Sequence, residues 1–377
     1  MRIPPRINVS AAGAALLALA ALVAVTPTTA APPSPRGAST DFQVDYLVSD
    51  GEIPSEHQDL DLRNGWGIAA SATGPWWVNV NEMDLSKIYN GEGVVQDLNV
   101  VVTGGPTGIV NYGGDGFLVT DGTVSAPARF LFATLSGTIT AWNPTVGPAP
   151  PAGESFVVVD QTSEGAVYTG LAIADTSAGT RLYAADFANA RVDVFDESFD
   201  PVTLTNAFVD SRLPSGYAPF GIQTLAGRVF VAYAKVDPST GDEQAGHGLG
   251  IIDMFDTDGK FLARVGAHAQ LNAPWGMAIA PDNFGAASGK LLVSNFGDGT
   301  IAVFNVSADM RRFMPAGVLR DTSHRPIVID GIWGIGFGNN AASGPSNALY
   351  FAAGPDDEEH GSFGRILPAS STPTTTP

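Results

Sequence analysis

A short apolar strand opening on a glycine recurs six times along the chain, and this repeat limits the fold more than any other feature. Its occurrences read NGWGIA (64–69), PTGIV (106–110), YTGLAIA (168–174), APFGIQ (218–223), APWGMAIA (273–280) and GIWGIGF (331–337). Some ten residues on comes a second apolar strand, as in PWWVNV, TRLYAAD and GKLLVSN. A polar turn follows, then a third strand such as SKIYN, ARVDVFD or GTIAVFN. The repeated glycines lie 41 to 62 residues apart. A four-stranded blade takes about that length, so residues 41–368 are expected to form an all-β, six-bladed β-propeller.

The repeat residues have physical work to do in such a ring. The first strand of each blade lies innermost, where Gly67, Gly108, Gly170, Gly221, Gly276 and Gly334 allow close backbone approach. Beside them, Trp66, Phe220, Trp275 and Trp333 supply large apolar bodies to pack between blades. A ring of tryptophans around a channel could instead be a platform on which sugars stack. The sixth unit runs out after its third strand, at 361–367, whereas FQVDYLV (42–48) is strand-like and precedes the first unit. That N-terminal strand should pair as the outer strand of the last blade, which joins the two ends and removes exposed sheet edges.

Composition agrees and excludes several functions. Only 15% of residues are charged, 44% are hydrophobic, and there are 44 Gly and 27 Pro, as expected of a turn-rich β protein. Acids outnumber bases 38 to 19, for a net charge of −19. A nucleic-acid partner is excluded, because phosphate binding needs clustered Lys and Arg, and an anionic membrane surface repels such a chain. With no cysteine there is no disulfide, no thiolate chemistry and no Cys-ligated metal.

The ends read as addresses and linkers. Arg2 and Arg6, the apolar run Ala11 to Val25, and the small residues Thr28 to Ala30 make residues 1–30 a signal peptide. The apolar run is shorter than the roughly 20 residues that span a bilayer; an uncleaved anchor is the alternative. The mature protein is therefore expected to be secreted, free of a membrane span, and monomeric. Pro/Ser-rich 31–40 and Thr/Pro-rich 369–377 are expected to be disordered.

The stretch LYAADFANARVDVFD (182–196) resembles the NHL repeat, in which an Asp, an Asn and a basic residue share a hairpin, and APWGMAIAP (273–281) resembles that repeat's opening strand. The chain from about 41 to 367 also resembles a family of exported bacterial proteins of unassigned biochemical role. ARFLFATLSGTITAWNP, LLVSNFGDGTI, PIVIDGIWGIGFGN and LYFAAGPDDEEHGSFG carry that likeness. The resemblance implies a β-propeller and brings no catalytic residues with it.

Function has to be sought where side chains converge. The turns between second and third strands share a face with the starts of the innermost strands. That face should collect Asn64, Asn79, Asn81, Glu82, Asp84, Asp186, Asn189, Asn295, Asp298, Asp330 and the acidic run 356–359, with His360 after it and His247 from the long fourth-blade loop. Many oxygens and almost no base suit a hard cation such as Ca²⁺, with Asn64, Asn79, Asp186, Asp356, Asp357 and Glu358 as candidate ligands. The plainer alternative is that Asp and Asn cap their own turns. No G-x-S-x-G elbow or H-E-x-x-H pair is present. The favoured reading is a binding or scaffold module for a small molecule, peptide or polysaccharide. The alternative is a metal-dependent hydrolase, lactonase or lyase in which His360 or His247 moves protons.

Overall fold

Six blade sheets stand around one axis in the computed structural model, which describes residues 40–369. All but Thr40 and Ala369 of the expected signal peptide, linker and tail lie outside those residues. Blade one runs outward through Gly65–Ala70, Trp76–Val80, Leu85–Tyr89 and Val95–Val101. Blade two follows with Pro106–Asn111, Phe130–Thr134, Thr138–Trp142 and Phe156–Asp160. Blades four and five repeat this order from Tyr217–Leu225 and from Pro274–Ile279. Blade three departs from it: Tyr168–Thr176, Gly179–Asp186 and Arg191–Phe195 have no full outer strand, only a bridge between Phe195 and Pro201. There the chain after Phe195 meets a proline, which cannot donate to a ladder, and soon turns away.

The last blade closes as expected. Phe42–Ser49 lies antiparallel to Ser362–Pro368, from Phe42 opposite Pro368 to Ser49 opposite Ser362, with a bulge between Tyr46 and Val48. Phe42, Leu47 and Val48 of this strand are buried. The two chain ends thus share one sheet.

Around the axis, each innermost strand touches the next, and the sixth touches the first. The repeat glycines make this possible. A Cβ on Gly276 would stand 2.6 Å from the Trp333 carbonyl oxygen of the next blade, and one on Gly334 would stand 2.8 Å from that of Trp66. Strand backbones this close leave no room for any side chain at these positions.

The large aromatics beside the glycines do not wedge between blades as the sequence suggested. They turn to the axis and stack on one another. Trp333 is packed between Trp66 and Phe296, each with ring centroids 4.0 Å from it, and Trp275 and Phe220 meet it edge-on or tilted. Trp275 Nε1 donates to the Thr169 carbonyl 2.9 Å away, tying blade five to blade three. With Leu135 and Phe187 the cluster draws on all six blades, so it fills the channel as a plug.

Candidate functional site: an acidic cavity over an aromatic plug

The plug divides the channel into two mouths. On one side a cleft of about 300 Å³ is lined mainly by strand residues such as Ile68, Ile109, Leu171 and Ile222. On the other, where the innermost strands begin, lies a cavity of about 520 Å³. Trp66, Phe187 and Phe220 give it apolar lining, and Glu82, Asp242, Glu243 and Glu358 give it carboxyls; among the described residues no Lys, Arg or His lines it. Its size is that of a small-molecule site.

The acidic turn of blade six supplies Glu358. Asp356, Asp357 and Glu358 all adopt left-handed backbone, with φ of 54°, 50° and 69°. Each such residue costs on the order of 1 kcal/mol, so the turn persists only because its surroundings hold it. The Asp356 amide donates to Asp330 Oδ2 (3.0 Å), His360 N donates to the Pro355 carbonyl (3.2 Å), and Asn64 N donates to the His360 carbonyl (2.9 Å). Glu358 is thereby turned toward Asn64, whose Nδ2 donates to its Oε1 at 3.0 Å. Burial raises the Glu358 carboxyl, Asn64 opposes this, and the Glu82 charge adds to the rise.

Blade four supplies the opposing acids. The connection after Arg228–Val236 folds back through the short strand Glu243–Gln244, which pairs with Lys235 and Val236. Asp237 closes the turn before it, accepting from the Ser239 amide (2.8 Å) and hydroxyl (2.6 Å). Farther along, the Gly246 amide donates to Asn272 Oδ1 (2.6 Å), which anchors this arm to blade five. The arm sets Glu243 in the cavity wall. Burial pushes its carboxyl up to about 7, and the charges of Glu358 and Asp242 push the same way. A carboxylic acid that titrates near neutrality can give or take a proton there.

Two donors complete the site. Trp66 and Trp333 are 5% and 1% exposed, yet neither indole Nε1–H has a hydrogen-bond partner at acceptable geometry. The Glu358 carboxyl lies close enough to Trp333 to be lowered by it. Buried polar groups left without partners are costly, and a ligand oxygen can satisfy them.

The structure separates the residues expected from sequence. Glu358 is in the cavity wall, with Asn64 behind it. Asp357 faces an adjoining cleft that Arg63 and Glu359 share with Glu82 and Glu358, and Asp356 is exposed. Asn79 is fully buried and its Nδ2 donates to the Thr107 carbonyl (2.9 Å), stapling blade one to blade two. Asp186 clamps its own hairpin: its carboxylate accepts from Val167 N (3.2 Å), Asn189 N (3.3 Å) and Asn189 Nδ2 (2.8 Å), and pairs with Arg191 (3.3 Å). His360 lies outside the cavity, with Nδ1 donating to Asp50 Oδ2 at 2.7 Å, a bond that raises its pKa. His247 is exposed on the blade-four arm and does not line the cavity. Among the described residues no three His, Asp or Glu side chains converge as ligands to one metal ion.

No protein-family model matches the chain. Two proteins of Acanthamoeba polyphaga mimivirus, L690 and R648, are each 33% identical to it, over 352 and 351 residues. The alignments cover 89% of this chain and 88% and 82% of theirs. The chain belongs to their family. Both viral proteins are uncharacterised. Among solved structures, the soluble aldose sugar dehydrogenase of Escherichia coli in its apo form matches with a TM-score of 0.51 at 14% identity, over 87% of this chain and all of that one. This likeness is one of fold alone.

Proposed function

We propose that the protein is an exported binding module whose site is the acidic cavity above the aromatic plug, and that it takes a small molecule or the end of a polymer. The single observation carrying this reading is the make-up of that cavity: aromatic lining, four carboxyls, no base among the described lining residues, and the unpaired Trp66 indole donor. An apolar floor with a few directed polar groups is what small-ligand sites share. A second reading has one observation in its favour. Glu243 holds its proton to about pH 7, so the same cavity has a general acid ready for hydrolysis or elimination, without His360 or His247.

A melting-temperature screen of neutral saccharides, short peptides and organic cations tests binding. The control is Ala188→Trp, because Ala188 is exposed and lines the cavity, so the indole fills the site without entering the core. Compounds that stabilise the wild type and not Ala188→Trp support the reading. Compounds that stabilise both equally bind elsewhere and count against it.

A further inference from the structure

Resting on that reading, we propose that the ligand is an organic ammonium ion, held with its charge between Glu243 and Glu358 and its alkyl groups against Trp66 and Phe220. Four carboxyls line the cavity and no base among the described residues does; Arg63 borders Glu82 and Glu358 from the adjoining cleft, which leaves the empty site net negative in a place partly closed to water. That field selects a cation. A hard metal ion is a poor occupant: calcium takes six to eight oxygens at about 2.3–2.6 Å, whereas here the carboxyls stand around a wide cavity and no three of them converge. Its aromatic lining offers a hard ion nothing, but it suits an alkylammonium, which is attracted to ring faces and sheds water readily.

The unpaired Trp66 donor refines the ligand. Trp66 lines the cavity and stacks on Trp333; the Trp66 Nε1–H has no partner, whereas the Trp333 indole faces the Glu358 carboxyl. An ammonium ion that also carries a hydroxyl or ether oxygen can satisfy the Trp66 donor. In the empty cavity a proton on Glu243 relieves part of the repulsion from Asp242 and Glu358. A bound cation displaces that proton, so affinity should rise as pH passes through about 7; the groups facing Glu243 (Asp242 and Glu358, with Glu82 beside it) are acids and reinforce the trend, while Arg63, behind Glu82 and Glu358 in the adjoining cleft, stays charged throughout and leaves its direction unchanged.

The test is calorimetric titration at pH 8 with choline and with its neutral isostere 3,3-dimethylbutan-1-ol, which has the same shape and hydroxyl. Choline should bind more tightly by on the order of tenfold or more. That advantage should vanish in the Glu243→Gln/Glu358→Gln double variant, and Ala188→Trp should bind neither. Equal affinity for both probes overturns the ammonium assignment and leaves cavity binding intact. So does silence from both when a neutral saccharide binds the wild type and not Ala188→Trp. If no compound distinguishes wild type from Ala188→Trp, both the assignment and the binding reading fall.

Discussion

Replacing Glu243 with Gln keeps the shape of the side chain and removes its charge, so its effect on stability should depend strongly on pH. In the folded protein Glu243 keeps its proton to about pH 7, against an ordinary value of 4.5. Between those values the folded state binds more protons than the unfolded chain, so stability falls as pH rises through the window. Below 4.5 both states are protonated and the group is silent. Above 7 the full gap applies, at most about 3.4 kcal/mol, since each tenfold change in proton affinity is worth 1.36 kcal/mol. Glu243→Gln should therefore match wild type at pH 4.5 and exceed it by 1–3 kcal/mol at pH 8, roughly, once the arm's freedom to open to water is allowed for. Urea unfolding at both pH values measures this, provided the two proteins have the same m-value. A difference between them that does not change with pH would refute the placement of Glu243 in a partly buried wall near Glu358. Glu358→Gln should act in the same direction, and the double variant should gain less than the two singles together, because each charge raises the other.

Other consequences of the structure are as direct. Gly276→Ala should cost about 2–3 kcal/mol, because the new Cβ would meet the Trp333 carbonyl at 2.6 Å and Ser294 Oγ at 2.7 Å. Gly113→Ala, with open space around it, should be nearly neutral; equal unfolding midpoints for the two variants would contradict the packed ring. Deleting residues 41–49 removes buried Phe42, Leu47 and Val48, at about 2 kcal/mol each, and bares the edge of Ser362–Pro368. The deletion variant should aggregate, and a soluble product melting with wild type would contradict closure. Melting in calcium and in EDTA should coincide, because the acidic turn is held by backbone N–H groups donating to the Asp330 carboxylate and the Pro355 carbonyl; a rise of several degrees with calcium would restore the metal reading.

The fold was legible because its information repeats. Each unit carries the same glycine before an apolar strand, and a glycine packed against the next blade's backbone can be recognised from its neighbours in the series. Closure was legible for a similar reason: a blade short of one strand and a strand short of a blade stand at opposite ends. The direction of Trp66, Trp275 and Trp333 was not legible, since the repeat places them next to the glycines and does not say whether they face the axis or a neighbouring blade. Within the site, Glu358 stood out because four consecutive acids make a poor turn. Asn79 and Asp186 looked identical to ligands in sequence and proved to be backbone clamps, which only their burial and partners reveal. The fourth-blade loop drew attention for His247, whereas its contribution is Glu243. That residue sits in an irregular arm with no periodicity to place it, and its raised pKa comes from burial that exists only once the arm folds back.

The central claim is that the face above the plug presents concentrated negative charge to a bound group, and the absence of cysteine allows this to be read directly. Ala188→Cys places a single thiol at the cavity rim. The measurement is its rate of reaction with a cationic and with an anionic methanethiosulfonate of similar size, relative to the same pair of rates for free 2-mercaptoethanol. A potential of a few kT should favour the cationic reagent by on the order of tenfold or more beyond that reference. The preference should shrink with added salt and in the Glu243→Gln/Glu358→Gln background. A ratio equal to that of the free thiol, unmoved by salt or by the double substitution, would contradict the account.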